Sequence, residues 1–378
     1  MLPTQLRVDE VVFRRRIVTS RAAENLFWLG RYTERAENAV RAAQIFLGNL
    51  RNSRVLPDAV VDAIGLTATN LGLVPPGAPG PAHGLRVFER TLLAGLRDER
   101  ASSVAFDLAG LASTAAQIRD RLAFEHWHQI TATVERFTVA MRLPVAGDPS
   151  EADGAATPGA PAAASADEGP PQVDPGDARV DPGQPMDHAQ AAMSTLVAGL
   201  GAITAAQTDG MTRDDGWRLL TIGRQIERLI SMSEVLHAFF TSGAVLHEAG
   251  FDQVLSLFNS TITYRSRYQG QREVAALVDL LVLEVANPRS LHCAADLIGR
   301  ELDELGVATG HSLEWSEVER FGHPRERLLV TLCARDGDGE FAQILSLTGS
   351  LIRAGRELSN RIGLRYFSHS EPHRSQIA

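Results

Sequence analysis

The chain has 378 residues, of which 44% are hydrophobic and 22% charged, a balance typical of a soluble globular protein with one large core or two smaller ones. Its formal net charge of −9 gives no overall basic field for nucleic acid or an anionic membrane, and no unbroken apolar run is long enough to span a bilayer. All 37 basic residues are arginine, which excludes a phosphate-loop, Schiff-base or kinase-type lysine.

The first predicted helix begins at Ser20, a candidate N-cap, and has one narrow apolar stripe. The stripe consists of Ala22, Leu26, Leu29, Ala36, Val40, Ala43 and Leu47. A second helix opens at Ser102 or Ser103, and a third covers about 127–141. The segment 144–186 then consists mainly of Ala, Pro, Gly and Asp, which bury too little apolar surface to offset the entropy of ordering.

Helical periodicity resumes near Asp187 and is strongest over 214–240, where Leu219, Ile222, Ile226, Leu229 and Leu236 form the stripe. Further helices are expected at about 250–267, 271–286, 290–307 and 340–366, with one weak strand-like alternation at 326–335. These patterns predict an all-α multi-helix bundle. Its parts would be an N-terminal extension at 1–17, helical parts at 18–143 and 187–368, a disordered insertion at 144–186, and a tail at 369–378.

One short motif occurs twice. The hexapeptides GRYTER (30–35) and GRQIER (223–228) share the pattern G-R-x-x-E-R, and superimposing their glycines brings the two apolar stripes into register. The arginines of both copies lie opposite the stripe, and the glutamates lie between the two faces. The matched register leads to the hypothesis that the two helices are neighbours and that each arginine fork binds the other helix's carboxylate.

Three interpretations of the repeat remain open at this point: solvated surface pairs, a buried ion network that fixes helix register, and a site for an anionic ligand. The first helix adds Glu24, Trp28 and Asn38 to its arginine face, and tryptophan seldom lies exposed among charges. The candidate polar centre comprises Arg21, Glu24, Asn25, Trp28, Arg31, Glu34, Arg35, Asn38, Arg224, Glu227, Arg228, Tyr264, Arg265 and Arg289.

Other motifs give weaker signals. His126 and His128 are two residues apart and diverge on a helix, so no metal site is predicted, and no cofactor fingerprint is present. Adjacent His292 and Cys293 also diverge, which favours core positions over a nucleophile and its base. The stretch YRSRYQGQR (264–272) is either a basic-aromatic binding cluster or a helix end. NPRS (287–290) is a helix break whose Arg289 is a candidate for the centre.

The opening stretch SRAAENLFWLGRYTERAENAVR closely resembles the alpha-E domain family, bacterial all-helical proteins named for a helix with a Glu-Arg motif. GWRLLTIGRQIERL, YRSRYQGQREVAALVDLLVLEVANPRSL and the final helix are also similar to that family, so the resemblance covers roughly 18–366. Two features depart from it: the insertion at 144–186, and the extension 1–17, which is expected to be a misassigned start or an added segment.

The resemblance implies a genomic partnership more than a reaction. Members of this family are typically encoded beside, or fused to, a circularly permuted ATP-grasp protein and a transglutaminase-like protein, which suggests a system that makes or cleaves amide bonds. We therefore expect a cytoplasmic accessory or scaffold protein whose arginine-lined centre receives an anionic peptide or carboxylate. The alternative is an enzyme with Glu24, Glu34 or Glu227 as acid or base. In that case Arg31, Arg35 and Arg224 would hold a carboxylate or phosphate.

Overall fold

The structure is a computed structural model that describes residues 18–51, 56–100, 102–142, 184–310, 313 and 323–367. The expected extension at 1–17, almost all of the expected insertion, and the tail at 369–378 lie outside these ranges. Within them the chain forms α-helices and no strand. The helices are α1 (Ser20–Arg51), α2 (Asp58–Asn70), α3 (Leu85–Gly95), α4 (Val104–Gln117), α5 (Phe124–Arg142), α6 (Gln184–Asp209), α7 (Asp215–Thr241), α8 (Glu248–Leu257), α9 (Thr261–Tyr268), α10 (Val274–Val278), α11 (Leu291–Thr309), α12 (Leu329–Leu332) and α13 (Ala342–Tyr366). The predicted all-α class is confirmed.

Helix α7 is the centre of the bundle, and nearly every one of its side chains is buried. Helices α1, α11 and α13 pack around it, while α4 and α6 pack against the other sides of α1. All members of both predicted apolar stripes are buried except Ala22, which is half-buried. Helices from the two sides of the 144–186 segment therefore share one hydrophobic core.

Side-chain caps fix several helix starts. Ser103, Asp214 and Ser290 each accept a hydrogen bond from a backbone N–H in the first turn of α4, α7 and α11, respectively. The prediction for α1 was wrong by one residue: Thr19, not Ser20, accepts from the backbone N–H of Ala22 through its side chain. Satisfying an otherwise unpaired N–H is the physical role of such caps.

The structure corrects the predicted elements in two places. The helix expected at 250–267 breaks into α8 and α9 at Asn259, whose φ of +50° is left-handed. The segment 271–286 is a short helix that continues as a π-helical turn over Asp279–Leu283. The weak strand-like alternation at 326–335 forms no strand: the segment contains the single turn α12, flanked by exposed Leu328. Helices α2 and α3 were not predicted.

Helix α6 is long and apolar enough to cross a membrane by length and composition alone, with a mean hydropathy of 1.4 over its most apolar stretch of 18 residues. Alanines contribute much of that value. In the structure the helix packs against α1 and α5, and Leu196, Leu200 and Ile203 lie fully inside the core. Core helices of soluble proteins have the same composition, so the hydropathy of α6 alone does not place it in a membrane.

Candidate functional site in the paired motif helices

The two G-R-x-x-E-R helices, α1 and α7, are direct neighbours and run parallel. Contacts pair Phe27 with Gly223, Glu34 with Arg228, and Asn38 with Ser231, so the partners advance together along both chains. Because the two helices are parallel, the motif copies lie at the same height along the helix axes, as the matched register of the apolar stripes indicated. The predicted neighbourhood of the two motifs is therefore observed.

The motif glycines allow this approach. A Cβ atom added to Gly30 would lie 2.1 Å from the carbonyl oxygen of Leu220, and one added to Gly223 would lie 2.2 Å from that of Phe27. Leu220 precedes Gly223 by three residues, as Phe27 precedes Gly30, so the two contacts are reciprocal and relate the helices by an approximate two-fold rotation. Any side chain at either glycine would force the two backbones apart.

Each motif carboxylate is held by the arginines of the opposite helix. Arg228 donates to both oxygens of Glu34 through Nε (2.7 Å) and Nη2 (2.8 Å). Arg35 donates to Glu227 from Nε (3.0 Å) and Nη2 (2.9 Å), and Arg31 Nε adds a bond of 2.8 Å. The predicted exchange of bidentate pairs is observed in both directions, and its members form a buried ion network.

The group around Glu34, which we name the Glu34 cluster, consists of Glu34, Glu37, Arg228 and Arg289. Arg289 follows the helix break at Pro288 and donates to Glu37 at 2.7 Å, with Glu34 3.8 Å away. Burial raises the pKa of Glu34, but Arg228 and Arg289 outweigh it and bring that pKa to about 2. Glu34 therefore remains ionised at neutral pH.

The group around Glu227, the Glu227 cluster, consists of Glu227, Arg31, Arg35 and Asp107. Arg31 also donates to Ser359 of α13 at 2.6 Å, and its guanidinium lies 5.1 Å from the ring of Trp28. The neighbouring arginines overcome burial and hold the pKa of Glu227 below its usual value. Asp107, on α4, has the opposite shift: burial is the main cause that raises its pKa to about 7, although Arg35 lies 3.5 Å away.

Arg224 breaks the symmetry of the network. It is the counterpart of Arg31, but among the described residues it forms no ion pair, and its one hydrogen bond is a 3.4 Å contact to Thr208. Only 8% of the residue is exposed, and its Nε atom has no hydrogen-bond partner. Burial, followed by repulsion from Arg228, lowers its pKa to about 10. Attraction to Glu34 and Glu37 offsets this shift only in part, so Arg224 remains charged at neutral pH without a direct ion pair among the described residues.

Several predicted site residues lie elsewhere. Arg21 donates to Gln117 at the exposed start of α1, and Asn25 bonds locally to the backbone of Arg21. Tyr264 packs its ring against Phe251 and donates to a backbone carbonyl. These contacts stabilise helix ends and do not reach the network.

The basic-aromatic stretch as a whole is a helix end, where Gln269 and Gly270 both have positive φ. Arg265 on that stretch is exposed. Glu24 is half-buried near the start of α1, and Asn38 donates to Ser231 between the motif helices. Sequence reasoning missed Glu37 and Asp107, both buried polar members. It also missed Glu234, about two turns beyond the α7 motif, whose pKa burial raises to about 7 despite its pairing with Arg356.

Comparison with known proteins places this site in a family. The model of the Alpha-E family, described as a predicted alpha-helical domain with a conserved ER motif, matches residues 18–367. Uncharacterized proteins of Mycobacterium tuberculosis strains H37Rv and CDC 1551 and of Mycobacterium bovis are 26% identical over 91% of the chain. The match spans only 36% of the length of each of these relatives. No solved structure gives a significant match. The chain belongs to the Alpha-E family, and its two Glu-Arg motifs lie side by side at the centre of the bundle.

Proposed function

We propose that this chain is a non-catalytic accessory domain of a system that forms or cleaves amide bonds. It would work beside a circularly permuted ATP-grasp protein and a transglutaminase-like protein. In this proposal Arg224 holds a carboxylate of a peptide or of a partner protein. The observation that carries the proposal is that the guanidinium of Arg224 forms no ion pair with any described residue, in a network whose other motif arginines bind internal carboxylates.

The internal pairing supports a scaffold role for the rest of the motif. Arg31, Arg35 and Arg228 are committed to Glu227 and Glu34, so their forks are not free for a substrate. A buried cation without a direct ion pair is unfavourable in a folded protein, and an incoming carboxylate would relieve that penalty. The size of the relatives, about two thirds of which lies outside the match, supports a domain that works beside others.

An enzymatic role for Glu34 or Glu227 has less support. Both carboxylates are buried, and neighbouring arginines hold their pKa values below the usual range. A general base works best with a pKa near the operating pH, and a carboxylate locked in bidentate pairs is a poor proton acceptor. The same bonds would have to break before either group reached a substrate.

The test measures both the association of the chain with its proposed partner proteins and its binding of an anionic peptide. The full chain is purified with the ATP-grasp and transglutaminase-like proteins of its own genome, and a tetraglutamate peptide is titrated against it by calorimetry. We expect co-elution, peptide binding, and the loss of peptide binding in Arg224→Met. The control Arg353→Met removes an exposed arginine from α13 and should bind like the parent. Elution of the chain alone and equal peptide affinity for Arg224→Met would contradict the proposal.

A further inference from the structure

Three potential metal ligands meet at the start of α11, outside the motif network. We propose that His292, Asp296 and His323 bind a divalent transition-metal ion of the zinc class. One ligand atom from each residue lies within 4.8 Å of the others. Neither the proposed accessory role nor the Glu-Arg motif requires such a site.

Local structure brings the three side chains together. His292 and Asp296 are four residues apart in the first turns of α11, so they share one face of the helix. His323 lies immediately before the 3-10 turn Pro324–Glu326 and is 2% exposed. A histidine and a carboxylate at i and i+4, completed by a distant histidine, is a ligand set that suits zinc and related metals.

Each histidine lies about as far from an oxygen of Asp296 as two ligands of one metal ion, and the three ligand atoms lie within 4.8 Å of one another. His292 Nε2 lies 3.4 Å from Asp296 Oδ2, and His323 Nε2 lies 3.0 Å from Asp296 Oδ1. Zinc bonds of about 2.0–2.1 Å place neighbouring ligands of a tetrahedron roughly 3.3 Å apart. Small side-chain movements would therefore place one ion within reach of all three groups.

Hydrogen bonding fixes which nitrogen of His292 is available. Its Nδ1 lies 2.8 Å from the carbonyl oxygen of Leu283, which can only accept, so Nδ1 carries the proton. Nε2 then presents its lone pair to the carboxylate of Asp296, and two acceptors face each other. A proton or a metal ion between them turns this repulsion into attraction. Donation from the second ring nitrogen to a backbone carbonyl is also what orients metal-bound histidine.

The present hydrogen bonds of His323 and the charge of Arg325 both oppose metal binding. The backbone N–H of Arg325 donates to Nδ1 of His323 at 3.1 Å, so Nε2 carries the proton and donates to Asp296. Coordination through Nε2 moves that proton to Nδ1 and breaks the bond from Arg325. The guanidinium of Arg325 also lies 3.9 Å from Asp296 and repels a cation. Removing the charge of Arg325 should consequently tighten metal binding.

Three protein ligands leave at least one coordination position for water or for a group on a partner. The site is also coupled to the motif network through the segment before α11. There the carbonyl of Pro288 accepts from Arg228, and Arg289 reaches Glu37. A bound metal would hold the start of α11 and thereby the position of these arginines.

The experiment titrates Zn²⁺ and Co²⁺ into the tag-free, chelator-treated full chain, by calorimetry and by the visible absorption of Co²⁺. We expect one Zn²⁺ ion per chain and the intense Co²⁺ bands of a four-coordinate site. Asp296→Asn and His323→Gln should weaken binding by at least about tenfold, and Arg325→Gln should strengthen it. His247→Gln, a change at an exposed histidine, is the control.

Circular dichroism and thermal melting verify that each variant is folded before titration. Zinc should raise the melting temperature of the parent more than that of folded His323→Gln at the same zinc concentration, because the stabilisation falls as the dissociation constant rises. Absence of saturable binding to the folded parent would overturn the proposal. Equal affinity in the parent, Asp296→Asn and His323→Gln would overturn it as well.

Discussion

The bond between Arg228 and Glu34 gives the sharpest prediction about stability. Arg228→Ala removes two donors, at 2.7 and 2.8 Å, from a carboxylate that is 0% exposed. Glu34 would keep only the 3.8 Å contact with Arg289. Breaking a buried pair and leaving a charge unpaired typically costs about 3–5 kcal/mol, so we expect a loss of that size in the free energy of unfolding. Arg35→Ala should cost less, because Glu227 keeps Arg31.

Urea unfolding followed by far-UV circular dichroism measures this loss. A double-mutant cycle with Glu34→Gln isolates the pair, and the double variant should lose at least about 1 kcal/mol less than the sum of the single losses. Arg361→Ala removes the arginine of an exposed pair with Glu357 and should change stability by less than about 0.5 kcal/mol. If Arg228→Ala unfolds within about 1 kcal/mol of the parent, or if the cycle is additive, the network does not stabilise the fold.

Two further predictions concern the close contact and the pH dependence. Gly30→Ala and Gly223→Ala should each lower the free energy of unfolding by about 1–3 kcal/mol or more, because the new methyl group would meet backbone atoms of the other helix. Gly48 faces open space on the same α1, so Gly48→Ala should be neutral or stabilising in the same urea assay. The pKa of Asp107 is raised from about 4 to about 7, so between these values the folded state holds a proton that the unfolded state has released, and stability should fall as pH rises from about 4 to about 7. Asp107→Asn should flatten that fall and be more stable than the parent at about pH 8, whereas a parallel pH profile would contradict the shift.

The fold class and the motif pairing were predictable because both depend on periodicity. The apolar stripes of α1 and α7 identify the buried faces, and the same angular offset places the arginines of both helices in one layer. The start of α4 was also predicted to within one residue, at Ser102 or Ser103, since a hydroxyl before an apolar run is a local signal.

The site residues that were not predicted are those whose surroundings depend on tertiary contacts. Asp107 lies on α4, and the sequence of α4 indicates only an amphipathic helix. The burial of Asp107 against Arg35 depends on how α4 packs on α1. The approach of His323 to His292 joins segments 31 residues apart, a separation without a recognised spacing. The i, i+4 spacing of His292 and Asp296 was the one available signal. Conversely, Tyr264 and Arg265 were predicted as site residues, but they lie at a helix end and form none of the contacts of the motif network.

The most direct test of the central claim compares Arg31→Met with Arg224→Met in urea unfolding. The two arginines occupy equivalent positions in the repeat, yet Arg31 binds Glu227 and Ser359, while Arg224 has no ion pair among the described residues. A base whose pKa falls on folding is held less favourably in the folded state, so its removal should help. We predict that Arg31→Met lowers the free energy of unfolding and that Arg224→Met raises it. An equal loss in both variants would contradict the claim that Arg224 is kept for an external anion.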